Sequence, residues 1–318
     1  MPQTHVSQSL PLSGTGSVAW KGGEEHWITR DAEIDLFLWH KAAAQDVPHA
    51  GTVLFVHGSS MASQPTFDLD VPGRADSSVM EWFRARGFDT WCLDNEGYGR
   101  SSKHRPINFD ISNGALDLAA GSEYILKQAK DDGLMVYGIS SGALKAALFA
   151  QRHPERVARL ALDAYVWTGE GSPTLAQRKK RLAEFLEKNR RPIDRAFVES
   201  IFSRDHPGCA DDHTVAAFAD AILSLDSSMP TGTYVDMCSK LPLNNPEEIP
   251  MPTLLMRGEY DGIAAYDDLA EFFRRLPSSF KQFTVMQGIS HASFQQKNYL
   301  MVYHILHAFF TQPSPVYR

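Results

Sequence analysis

The chain has 318 residues, 43% of them hydrophobic, and a formal net charge of -7. That length exceeds an ordinary single domain, so one large domain or a domain with an insertion is expected. The acidic balance excludes the basic face that nucleic-acid binding requires, and no apolar run approaches the roughly 18 residues of a membrane span.

The start, MPQTHVSQSLPLSGTGS, has neither a basic n-region nor an apolar h-region. Cys92, Cys209 and Cys238 are too few for a disulfide framework, and a reducing cytoplasmic setting is the expectation. Residues 1–18 are rich in Ser, Gly and Pro and read as a loose arm. Residues 26–29 and 34–39 then read as two half-buried strands joined through Asp31 and Ala32. Residues 53–56 form a continuous apolar run ending in His57-Gly58, the pattern of a strand covered on both faces.

A helix pattern follows over 77–86, a strand over 90–93 and a helix over 114–130. Next come a strand over 134–137, a helix over 142–152 and a strand over 160–162. Such alternation implies βαβ units and a mostly parallel sheet with helices on both faces. From 168 to 248 the rhythm stops, and helices over 176–188 and 214–225 stand among Gly and Pro breaks. It resumes with a strand over 253–256, a helix over 266–276, a strand over 282–285 and a helix over 294–310. The expected architecture is a doubly wound α/β core, residues 19–167 and 249–318, with a helical insertion at 168–248.

The strongest chemical signal is Gly138-Ile139-Ser140-Ser141-Gly142. A serine on a sharp strand-to-helix turn exposes its hydroxyl and crowds its neighbours, which calls for small residues two positions either side. By chance the pattern arises roughly once in ten chains of this length. Context therefore decides, and here a strand pattern precedes it and a helix pattern follows.

In this context the chain resembles the α/β-hydrolase superfamily over nearly its whole length. Residues 53–60 resemble the strand and His-Gly loop that supply half of an oxyanion hole, with His57 as a structural histidine. Leu93-Asp94-Asn95-Glu96-Gly97-Tyr98-Gly99-Arg100-Ser101 is similar to the superfamily's D-x-x-G-x-G-x-S turn, and the Ser140 motif to its nucleophile elbow. Arg257-Gly258-Glu259-Tyr260-Asp261 resembles the strand end bearing the acid, and Gly288-Ile289-Ser290-His291 the loop bearing the histidine.

The resemblance implies a Ser140, Asp261, His291 triad in the superfamily's chain order. Of the histidines after Ser140, only His291 sits in a Gly/Ser loop just beyond a strand. Asp163, ending an earlier strand, is the rival acid. The implied oxyanion donors are the backbone N–H groups of Ser59 and Ser141, with Ser60 as an alternative to Ser59. Ser60 and Trp167 are candidate substrate contacts. Phe185, Phe197, Phe202 and Phe218 could line an apolar pocket or simply pack the insertion, which lies where relatives carry a cap. The basic run Arg178-Lys179-Lys180-Arg181 could attract an anionic substrate, but reads first as a solvated helix face.

The expected activity is hydrolysis of a small to medium carboxylic ester through an acyl-enzyme on Ser140. Cleavage of a ring-cleavage diketone shares fold, cap and triad, but such relatives carry a longer glycine-rich stretch than Gly58-Ser59-Ser60-Met61-Ala62. Lactone or amide hydrolysis and acyl transfer are further readings, and a non-catalytic small-ligand receptor is one of a different class. No cofactor or metal is called for. The expected partners are an ester-like small molecule and water, with no nucleic acid or membrane, and the protein is expected as a monomer or homodimer.

Overall fold

The computed structural model describes Trp20 and residues 22–316, so the expected arm over 1–18 lies outside the described residues. Eight segments rich in β-branched, aromatic and Leu side chains form one sheet. They are β1 (Glu24–Arg30), β2 (Ile34–Lys41), β3 (Gly51–Val56), β4 (Phe88–Leu93), β5 (Leu134–Ile139), β6 (Val157–Asp163), β7 (Thr253–Gly258) and β8 (Lys281–Met286). Their spatial order is β1-β2-β4-β3-β5-β6-β7-β8. Pairing is antiparallel at β1–β2 and β2–β4 and parallel across the rest of the sheet. This is the mostly parallel, doubly wound sheet that the alternating pattern implied.

Every residue of β3 is buried, and its side chains divide between two cores in the alternation of a strand. Leu54 and Val56 face the helices Ile111–Gln128 and Ser141–Arg152. Val53 and Phe55 face the helices Val79–Arg84 and Tyr299–Thr311. The reversal between β1 and β2 is made by Asp31 and Ala32, both at positive φ. Helix Ile111–Gln128 starts on a capping box in which Asp110 accepts from the Asn113 N–H and the Asn113 side chain returns to Asp110.

Between β6 and β7 lie the helices Pro173–Lys179, Leu182–Glu187, Arg195–Ser203, Asp212–Leu225 and Gly232–Ser239. The helix expected over 176–188 is two, parted at Lys180 and Arg181. A ribbon of Arg190–Pro192 against Ser228–Pro230 was not expected, since three residues are too few to display an alternation. The last helix begins at Tyr299 rather than at 294. Before it, Ser293–Gln295 forms a tighter turn, pinned where the Gln295 Nε2 donates to the Thr66 carbonyl at 2.8 Å.

The middle segment is tied to the core by specific bonds. Asp226 accepts from the Gly99 N–H at 2.9 Å and the Lys103 ammonium at 2.6 Å. Asp236 accepts from the Ile111 N–H at 2.9 Å. Gly99 has φ +53, and a Cβ there would stand 2.0 Å from an Asp94 carboxylate oxygen, so this turn admits only glycine.

Candidate active site

In an open α/β sheet, the loops at the carboxyl ends of the parallel strands converge where ligands bind. Here β3 leads into residues 57–61, β5 into Ser140, β7 into Asp261 and β8 into His291. Ser140 sits between β5 and the helix Ser141–Arg152 with φ +58 and ψ -125, a strained conformation for a side chain with a Cβ. The two glycines of the motif permit that turn. A Cβ at Gly142 would lie 2.3 Å from the Val56 carbonyl oxygen, and one at Gly138 would lie 2.4 Å from the Gly142 carbonyl oxygen.

His291 Nε2 is 2.9 Å from Ser140 Oγ, and its Nδ1 is 2.9 Å from Asp261 Oδ2. The other Asp261 oxygen accepts the N–H groups of Ile263 at 2.8 Å and Ala264 at 3.1 Å. An acceptor-only carboxylate on Nδ1 places the ring proton there. Nε2 is then free to accept from the Ser140 hydroxyl. Burial alone would raise the Asp261 carboxyl, but the His291 ring and the Ala264 N–H outweigh it and hold it below its ordinary value.

Asp163 is brought near but bonded elsewhere. Its Oδ2 accepts from the Tyr137 hydroxyl at 2.6 Å, and its carbonyl receives the Ser140 N–H at 2.9 Å. Burial pushes its carboxyl up to about 7, the opposite of what a fixed anion beside an imidazole needs.

Ser59, Ser60 and His291 line a pocket with Ser140. The N–H groups of Ser59 and Ser141 take no part in the backbone hydrogen bonds of loops and caps among the described residues. A hydroxyl chain joins their side chains: Thr233 donates to Ser59 at 2.8 Å, and Ser59 to Ser141 at 2.6 Å. The hydroxyls of Ser60 and Tyr234 lie 2.8 Å apart. His57 faces away from the chemistry, accepting the Asn95 N–H at Nε2 and bonding the Gly58 carbonyl through Nδ1.

Trp167 is not in the pocket. Its indole N–H donates to the Asn244 carbonyl at 3.0 Å, and its ring packs on Phe272. Phe185 packs against Tyr234, and Phe202 against Phe218. Apolar lining from the middle segment comes instead from Ile201 and the Tyr234 ring.

Of three charged residues at the site, Arg204 and Asp205 escaped sequence reasoning, and Arg178 was read first as part of a solvated face. Arg178 and Arg204 both line the pocket. Asp205 accepts from Thr174 at 2.7 Å and takes two bonds from Arg204, at 2.8 and 2.6 Å. Polar atoms of Asp205, Asp261 and His291 all lie within 4.8 Å of one another. Burial would raise Asp205, but the Arg204 guanidinium and the His291 ring bring it to about 2. Charge alone cannot separate such residues from a solvated surface; only the folded path of 173–205 over Ser140 does.

Comparison with known proteins fits this geometry. The family described as serine aminopeptidase, S33, matches residues 47–298. A proline iminopeptidase of Neisseria meningitidis serogroup A / serotype 4A is 27% identical over 191 residues, 56% of this chain. The chain thus spans only 56% of that relative's length. A proline iminopeptidase of Neisseria gonorrhoeae is 24% identical over 283 residues, covering 78% of this chain and 85% of its own. An esterase from Thermogutta terrifontis superposes with a TM-score of 0.64 at 19% identity, over 90% of this chain and 97% of that one. No helix among the described residues is long and apolar enough to cross a membrane. By the span of the family match and its agreement with the sheet topology, the chain belongs to the serine aminopeptidase S33 family, hydrolases of the α/β-hydrolase fold.

Proposed function

We propose that the protein is a serine hydrolase that cleaves a small to medium carboxylic ester through an acyl-enzyme on Ser140. The observation that carries this reading is the unbroken relay of two 2.9 Å contacts from Ser140 through His291 to Asp261. A serine hydroxyl is a poor nucleophile until a base takes its proton, and the positive-φ turn holds this one against His291.

In the proposed reaction Ser140 Oγ attacks the ester carbonyl while its proton passes to His291 Nε2. Asp261 stabilises the imidazolium without taking a proton itself. The Ser59 and Ser141 N–H groups hold the negative oxygen of the tetrahedral intermediate, each donor of this kind contributing about 2.7–4 kcal/mol. The alcohol leaves with the proton from His291, and a water activated by the same ring releases the acid. The segment over 168–248 acts as a cap that bounds the pocket and limits water.

Removal of an N-terminal amino acid is the second reading, favoured by the names of the curated relatives. It needs a carboxylate free to hold a cationic amine. Among the described residues no Asp or Glu lines the pocket, and nearby Asp205 is already neutralised by Arg204. Initial rates on 4-nitrophenyl butyrate and on L-proline 4-nitroanilide separate the two. Ester turnover is expected; cleavage of the anilide alone would replace the esterase reading with an exopeptidase one.

A further inference from the structure

One cation at the pocket has no carboxylate bonded to it. His291 faces Asp261 at 2.9 Å, and Arg204 is held by both oxygens of Asp205. Arg178 lines the same pocket, and among the described residues its guanidinium has no ion pair or hydrogen bond. Its guanidinium stands 5.2 Å from the centre of the Tyr234 ring, a contact that orients the cation without neutralising it.

The neighbours of Arg178 in the basic run behave differently. Lys179 and Lys180 are exposed, and Arg181 pairs with Glu184 at 2.7 Å. Only Arg178 turns towards Ser140. A half-buried guanidinium gives up hydration that nothing in the resting protein restores. Burial lowers Arg178, with the adjacent Arg204 charge adding to it and Tyr234 and Asp205 opposing it, and a guanidinium keeps its proton in any folded protein. What Arg178 lacks is a directly bonded anion, and the planar fork of an arginine suits a carboxylate.

We propose that Arg178 is the counter-ion for a carboxylate on the substrate, so that the ester is a monoanion such as the half-ester of a dicarboxylic acid. This rests on Ser140 acting as the nucleophile of an ester hydrolase. Arg178 is then a specificity-determining residue, and the cap selects for charge as well as for size.

Paired substrates of equal length test it. On the acyl side, mono-4-nitrophenyl adipate is compared with 4-nitrophenyl hexanoate. On the alcohol side, 4-acetoxybenzoate is compared with phenyl acetate. A charge-assisted pair predicts a kcat/KM preference of about 10- to 100-fold for the anionic member in one of the two arms. Arg178→Gln collapses that preference, chiefly through KM, and Arg178→Lys restores part of it. Should Arg178→Gln not fold, inhibition of the wild-type protein by adipate against uncharged adipamide reads the same contact, with adipate expected to be the stronger inhibitor. The proposal is overturned if the wild-type enzyme turns over neutral and anionic esters equally in both arms, or if Arg178→Gln lowers both members of a pair by the same factor. Failure to turn over any of the four esters, with no labelling of Ser140 by a fluorophosphonate, sinks the hydrolase reading instead.

Discussion

Replacing Asp261 by Asn removes one charge and almost no volume, and the surrounding bonds dictate how the amide must sit. Asp261 Oδ1 accepts two backbone N–H groups, from Ile263 and Ala264. The Asn oxygen must stay there, because turning the NH₂ towards two N–H donors would leave all of them unpaired. The NH₂ then faces His291 Nδ1, now 2.9 Å from a donor instead of a carboxylate. His291 answers by moving its proton to Nε2, the atom that must accept from Ser140. A wrong tautomer of this kind costs about 10⁴ in kcat in the serine-protease example, or about 5.5 kcal/mol of barrier.

Asp163→Asn provides the internal control. The Tyr137 hydroxyl, 2.6 Å from Asp163 Oδ2, can donate equally well to an amide oxygen, and His291 is untouched. Its kcat is expected to stay within about tenfold of wild type. The assay is kcat on 4-nitrophenyl butyrate on the plateau of the wild-type pH–rate profile, with thermal melts confirming that both variants fold. An Asp261→Asn loss under tenfold, or an Asp163→Asn loss as large as that of Asp261→Asn, would refute the assignment of the acid.

Other consequences are equally open to measurement. Ser59→Ala deletes the hydroxyl between Thr233 and Ser141 but keeps the backbone donor, so kcat/KM should fall by about fivefold, the worth of one hydrogen bond; no change would mean that the hydroxyl chain does not hold the loop. Gly142→Ala drives a methyl to 2.3 Å from a strand carbonyl that cannot yield, and urea titration should show a loss of about 3 kcal/mol or failure to fold. Asp163, with an ordinary value of 3.8 and a folded value near 7, keeps its proton in the folded state across a range where the unfolded chain has lost it. Its contribution to stability therefore falls as pH rises from about 4 to about 7. Over that window Asp163→Asn should show a flatter stability profile than wild type, and parallel profiles would contradict the raised carboxyl.

Much of the fold was legible because parallel strands covered on both faces leave uninterrupted apolar runs, as at β3 and β5. The Ser140 turn and His291 were legible because their chemistry demands small residues and a fixed chain order close by. What escaped depends on contacts between distant segments. The last helix was read from 294 because its apolar pattern extends that far. In the structure, however, Gln296 spends its side chain on Ser290, accepting the backbone N–H at 2.6 Å and donating to the hydroxyl at 2.7 Å. Those bonds brace the His291 loop and delay the helix to Tyr299. Trp167 was placed at the substrate because it borders the middle segment, but its indole N–H finds the Asn244 carbonyl in the packing beyond. Arg178 is the sharpest case, since a basic run on a short helix looks solvated until the fold turns one of its four members inward.

The central claim is that Ser140 is the nucleophile, and covalent capture tests it most directly. After incubation with a fluorophosphonate, peptide mass spectrometry should find the phosphonyl adduct on Ser140, one per chain, with ester turnover lost in proportion to labelling. Ser140→Ala should fold, take up no label and lose kcat by several orders of magnitude. An adduct on another residue, or ester turnover that survives in Ser140→Ala, would contradict the account.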